Sequence, residues 1–276
     1  MKRFVICGLV LAAALPAMAQ DAAEADWDIV RDAEKKSVIA YIPVTTGLML
    51  GVRCVDGAFD AVIAGLPEHP RGRATRPLHL AFGDEPLHPT NWNVTTDRTV
   101  AISDYPALFA RSLRKGGPLK IMIPGGSADG RNLLHDLVLP PSSAAIAETM
   151  AACDRPLEDP RDALLPDIGP GGLPAGMHWE RPPRPRYPNT NYATGYSVVS
   201  CITAADGSLS QCQIESEQPA KARFSNAVMR SLSDARVASD TEPTGQIRRR
   251  MIAFRVNFYM QGYEPSGNQR RPASGR

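Results

Sequence analysis

Beyond its first twenty residues the chain has no apolar run long enough to cross a bilayer as a helix. It also has no CxxC pair, which argues against a thioredoxin-like redox centre. HExxH, GxSxG and GK[ST] are missing too. That removes the usual zinc-protease helix, nucleophile elbow and phosphate loop. The five histidines, His69, His79, His88, His135 and His178, are scattered. His79 and His88, with Asp84 and Glu85 between them, read as strand and loop rather than as a metal site. The Gly-rich stretch from Pro124 to Gly130, with Ser127 inside it, reads as a hairpin loop between two strand-like runs. No catalytic constellation is left. The expectation is a protein that is not an enzyme, with no cofactor and no metal.

What the chain does have begins at its N-terminus. Lys2 and Arg3 precede an apolar run from Phe4 to Ala17, and Ala17-Met18-Ala19 is a small-x-small cleavage pattern. This reads as a secretory signal peptide over residues 1–19, removed after Ala19. No lipobox cysteine sits beside the cut, so a soluble periplasmic protein is expected. The alternative is an uncleaved helix anchored in the inner membrane.

Cleavage would remove Cys7 and leave Cys54, Cys153, Cys201 and Cys212, an even number in an oxidising compartment. Two strand-like runs, VVSCIT and LSQCQI, flank Asp206-Gly207, a strong hairpin signal. A turn centred there sets Cys201 opposite Cys212. Opposed residues of a non-hydrogen-bonded antiparallel pair lie within disulfide reach. Alternation favours a four-residue loop, Ala205 to Ser208. Cys54 then pairs with Cys153 by elimination.

Charge is unevenly spread. Residues 20–159 carry a net −5 and residues 160–276 a net +5. Two units of opposite sign are expected, and so weak an excess gives no reason to expect nucleic acid. Asp154 to Pro188 is dense in Pro and Gly, so residues 154–186 read as a stiff linker. The 263–276 tail reads as disordered.

The first unit, residues 24–153, reads as mostly β with two short helices. Strand candidates are SVIAYIPVT, GLMLGVRCV, AFDAVIAGL, RPLHLAF, TVAIS, PLKIMIP and HDLVLP. SDYPALFARSLRKGG reads as a helix with a Ser or Asp cap and a closing glycine. PSSAAIAETMAACD reads as a second, capped by Ser142 or Ser143. Its Ile146, Met150 and Cys153 share one face and carry Cys153 toward the strand of Cys54. The W…C…helix…C layout resembles small secreted bacterial sandwiches of the invasion-associated locus B type.

The second unit, residues 187–262, reads as ββαβ. Phe224, Val228, Leu232 and Ala235 lie along one helix face. In the closing strand, Ile252, Phe254, Val256, Phe258 and Met260 alternate with Met251, Ala253, Arg255, Asn257 and Tyr259. Tyr187-Pro188, Gly195, Asp206-Gly207, the helix from Phe224 and the strand Ile252–Phe258 occur in an order that resembles the C-terminal domain of the TonB energy-transducer family. The cysteine pair across the hairpin is similar to a disulfide-bearing branch of it.

The resemblance implies a mixed fold in which an α+β module follows the mostly-β unit. It also implies peptide binding without chemistry. In that family the last strand takes up a receptor's peptide by strand addition. Carried onto this chain, the site is Arg250, Ile252, Arg255, Asn257 and Tyr259, and the partner is an outer-membrane receptor or peptide segment. The same edge admits pairing of two copies. Arg248, Arg249 and Arg250 read first as a solvated strand entrance, with attraction of an acidic peptide or anionic surface as the alternative. A working transducer keeps its N-terminal helix in the membrane, and here that stretch carries a cleavage pattern. A binding module is therefore expected over a motor component. The rival expectation is a periplasmic inhibitor or envelope-stress factor acting through the first unit.

Overall fold

A computed structural model describes residues 26–44, 47–165 and 172–262. The expected signal peptide and C-terminal tail lie outside the described residues. The fold is β-rich and mixed, with antiparallel sheets and three short helices.

The first strands are β1 (Asp28–Asp32), β2 (Ser37–Pro43), β3 (Met49–Val55), β4 (Ala58–Ala64) and β5 (Thr75–Phe82). They are followed by β6 (His88–Val94), β7 (Ala101–Ser103), β8 (Gly117–Ile123) and β9 (Leu133–Leu139). They form one antiparallel sheet in the order β1-β2-β3-β4-β7-β6-β5-β8-β9. The sheet curls until Trp27, just ahead of β1, donates its indole N–H to the carbonyl of Pro140, just beyond β9. Leu50, Val52 and Cys54 from β3 meet Phe59, Ala61 and Ile63 from β4 in one core. This is period-two burial on a one-sided sheet.

Helix α1 (Pro106–Lys115) starts with proline in its first turn and stops at Gly116. No side chain caps its N-terminus, contrary to the expected Ser or Asp cap. Its Phe109 meets Trp92 edge to face at 5.1 Å. Helix α2 (Ala145–Ala151) receives a bond from Ser142 Oγ, which accepts the amide of Ile146. Its first amides, Ala144 and Ala145, are accepted by Asp26, more than a hundred residues earlier. These bonds, with those from Ser142, Ser143 and Trp27, hold the Asp26 carboxyl far below the usual range against the opposing effect of burial. The Cys54–Cys153 disulfide, Cα atoms 5.6 Å apart, pins the end of α2 to β3.

A second core lies around a three-stranded sheet of β11 (Thr194–Thr203), β12 (Leu209–Gln218) and β14 (Met251–Tyr259), with β11 central. Helix α3 (Phe224–Arg230) covers one face. The helix is shorter than its apolar stripe implied. Leu232 and Ala235 are buried but lie past its end. The expected ββαβ order gains β13 (Arg236–Ser239), which pairs with β10 (Met177–Arg181).

The hairpin differs from expectation in detail. Ala204 N–H bonds to Ser208 C=O, so the loop is Ala205-Asp206-Gly207, three residues rather than four. Gly207 takes φ +79°, where a Cβ would meet the Val237 carbonyl at 2.1 Å. That loop sets the wrong register for the cysteines. A bulge with Gln211 at φ +48° restores it, and Cys201 bonds to Cys212 with Cα atoms 4.0 Å apart.

Residues 154–186 are not a free spacer over their described part. They contain a 3-10 turn, Pro160–Leu164, and β10. Arg161 in that turn is buried, donates to Ser200 Oγ and to the Gln211 carbonyl, and pairs with Asp159 at 2.7 Å. Proline suppressed regular structure here without suppressing packing, because the arginines and aspartates between the prolines supply directed bonds.

Candidate peptide-binding edge

β14 sits at the edge of its sheet, and its register with β11 decides what each residue does. The Arg250 carbonyl accepts from Thr203 N–H, and Met260 N–H donates to Ala193. Even-numbered residues therefore point their backbone groups toward β11, and odd-numbered residues point theirs outward. Side chains alternate likewise. Ile252, Phe254, Val256 and Phe258 pack into the core with α3, Trp179 and Tyr187.

Ile252 was expected at the partner-binding edge, and here the structure corrects the sequence. It is fully buried, and its backbone faces β11, so neither part reaches a partner. Arg255 was expected on an exposed face. Its side chain is instead only 18% exposed. The guanidinium donates to Asp104 Oδ1 at 3.0 Å and to Asn93, and lies 3.5 Å from the Tyr196 ring centre. Alternation on the strand was read correctly, but the face opposite α3 is covered by the first core.

That covering brings a run of charged groups together. Burial pushes the Asp104 carboxyl upward, while Arg255 and Asn93 oppose the shift. Burial also raises the Tyr105 phenol, and the charges of Asp104 and Glu215 add to it. Arg111 on α1 binds Asp162 at 2.6 Å, and Ser200 on β11 donates to Glu215. Ser216 Oγ donates to the Asp104 carbonyl. The sequence offered Asp104 only as a helix cap, and Tyr105 and Glu215 carried no signal of their own, since each sits in a short polar run beside an apolar one.

The outward edge of β14 is divided. In its first half the Ala253 amide donates to the Gly172 carbonyl, and the Ala253 carbonyl accepts from Tyr105 Oη at 3.0 Å. In its second half the backbone groups of Arg255, Asn257 and Tyr259 point outward, with no backbone partner among the described residues. Asn257 and Tyr259 are exposed, and the Asn257 side chain accepts from Arg255 Nε at 2.8 Å. Arg250 stands at the other end, bound to Glu242 at 2.6 Å, and Arg248 binds the same carboxylate at 2.7 Å. Thus Asn257 and Tyr259 lie on the open half, while Arg250 and Arg255 are held by carboxylates.

No protein-family model matches the chain, and no curated protein matches it. Among solved structures, the solution NMR structure of the Pseudomonas aeruginosa TonB C-terminal domain is similar at 17% identity. The match covers 36% of this chain and 93% of that one, with a TM-score of 0.25.

Proposed function

We propose that this is a periplasmic binding protein, not an enzyme, that captures an extended peptide by strand addition to the outer half of β14. The observation that carries the reading is the row of outward amides and carbonyls at Arg255, Asn257 and Tyr259. An extended segment can satisfy these groups, while Asn257 and Tyr259 read its side chains. The residue order shared with the TonB C-terminal family supports a receptor segment of the outer membrane as the partner, in service of transport across it. A second copy of this chain would use the same edge.

Asn257→Pro tests the mechanism. Proline removes one outward N–H and leaves the bonds of even residues to β11 in place, as edge strands tolerate. Peptides from the periplasmic segments of outer-membrane receptors should shift the Arg255 and Tyr259 amides in NMR spectra of the wild type. Asn257→Ala should retain that response, and Asn257→Pro should lose it. Undiminished binding by the proline variant would dismiss strand addition. Concentration-dependent dimerisation abolished by the same proline would point to self-pairing.

A further inference from the structure

A second candidate site lies between the proline-rich chain before Tyr187 and the end of α3. It is a cavity of about 590 Å³ whose lining includes Arg181, Arg184, Arg186 and Arg230. All four arginines are exposed, and no carboxylate pairs with any of them among the described residues. Glu180 and Asp234 are its acidic lining residues, so positive charge is in excess. Ala227, Pro182 and Pro185 supply apolar wall.

The shape of the wall selects among anions. Pro182, Pro183, Pro185 and Pro188 hold this stretch out of helix. At about 3.1 Å per residue, Arg181 and Arg186 then stand up to roughly 15 Å apart along it. Compact phosphate sites gather several backbone N–H groups around one point. The prolines have no N–H to offer, and the guanidiniums are spread along a line. Spaced carboxylates on an extended chain match such a row, each accepting a forked pair of donors.

We propose that this groove binds an extended acidic peptide segment, independently of the β14 edge. The arginines hold its carboxylates, and the prolines and Ala227 hold its aliphatic stems. Salt weakens the interaction, because every charge involved is exposed.

The test uses the chain from Gln20 to Arg276 with both disulfides formed and a fluorescein-labelled octaglutamate peptide, followed by anisotropy at low salt. Changing Arg181, Arg184 and Arg186 together to Gln should weaken binding by about tenfold, each exposed contact being worth a few-fold. Asp234→Asn should tighten it, a gain that no folding defect produces. Asn257→Pro should leave it unchanged. A charge-matched control, Arg71→Gln with Arg73→Gln and Arg249→Gln, lies outside the groove and should have little effect. Equal loss in that control, or no loss in the triple variant, overturns the site. Complete displacement by inorganic phosphate at equal charge concentration would overturn the extended-carboxylate assignment.

Discussion

Arg255 on β14 and Asp104, one residue past β7, form an ion pair at 3.0 Å that ties the last strand to the first core. Asp104 also accepts from Asn93, and the Arg255 guanidinium rests on Tyr196. The pair is therefore oriented from two sides.

Replacing Arg255 with Met leaves a buried carboxylate without its cation. We expect a loss of about 3 kcal/mol in urea unfolding, most of it recovered when Asp104→Asn is added. The deficit should depend on pH. Burial already raises Asp104 above its unfolded value, and losing Arg255 raises it further. The folded chain then binds more protons than the unfolded one, so stability falls as pH rises through the folded pKa. The variant should approach wild type in acid and depart from it toward neutrality.

Glu242 has the opposite sign. Its carboxyl is lowered to about 2, first by the Arg248 amide and side chain and then by the charge of Arg250. It contributes stability above its unfolded value, and this is lost as pH falls toward about 2. A carbon-detected titration should place its midpoint there, and Glu242→Gln should flatten the acid limb of unfolding. A midpoint at the ordinary glutamate value would mean that Glu242 is not held by these arginines.

The two disulfides should differ in weight. Cys54–Cys153 closes 99 residues and Cys201–Cys212 only 11. By loop entropy the first contributes about 4–5 kcal/mol and the second about 3 kcal/mol. Alanine pairs at each site, compared by denaturant unfolding, should keep that order. The reverse order would show that the short bond acts on the native hairpin and not on the unfolded chain.

Gly172 has φ +79°, and a Cβ there would sit 2.5 Å from the Ala253 carbonyl oxygen. Gly172→Ala should therefore detach this loop from β14 and speed hydrogen exchange at Ala253. Exchange unchanged from wild type would mean that another contact protects that amide.

Seven strands of the large sheet were legible because β-branched and aliphatic residues cluster between turn residues. β1 and β6, with DIVRD and HPTNWNV, were not. They carry few buried apolar positions, and they are strands because their neighbours' backbones need partners. The cysteine pairing was legible from Asp206-Gly207 and from the face shared by Ile146, Met150 and Cys153. The bulge at Gln211 was not, since glutamine carries no left-handed signature. On β14 the period-two pattern separated the two sets of side chains. It could not say that the first core covers the polar set, because burying Arg255 depends on an aspartate 151 positions away.

The alternation of β14 also has a mechanical reading. A pull along the strand would load its hydrogen bonds to β11 in shear, all together and not one by one. The Arg255–Asp104 pair and the Tyr105 bond would pass part of that load sideways into the nine-stranded sheet. The Cys201–Cys212 bond keeps β12 from peeling away while β11 bears the strain. Tension entering through the outward backbone groups of Arg255, Asn257 and Tyr259 would thus be shared between two cores.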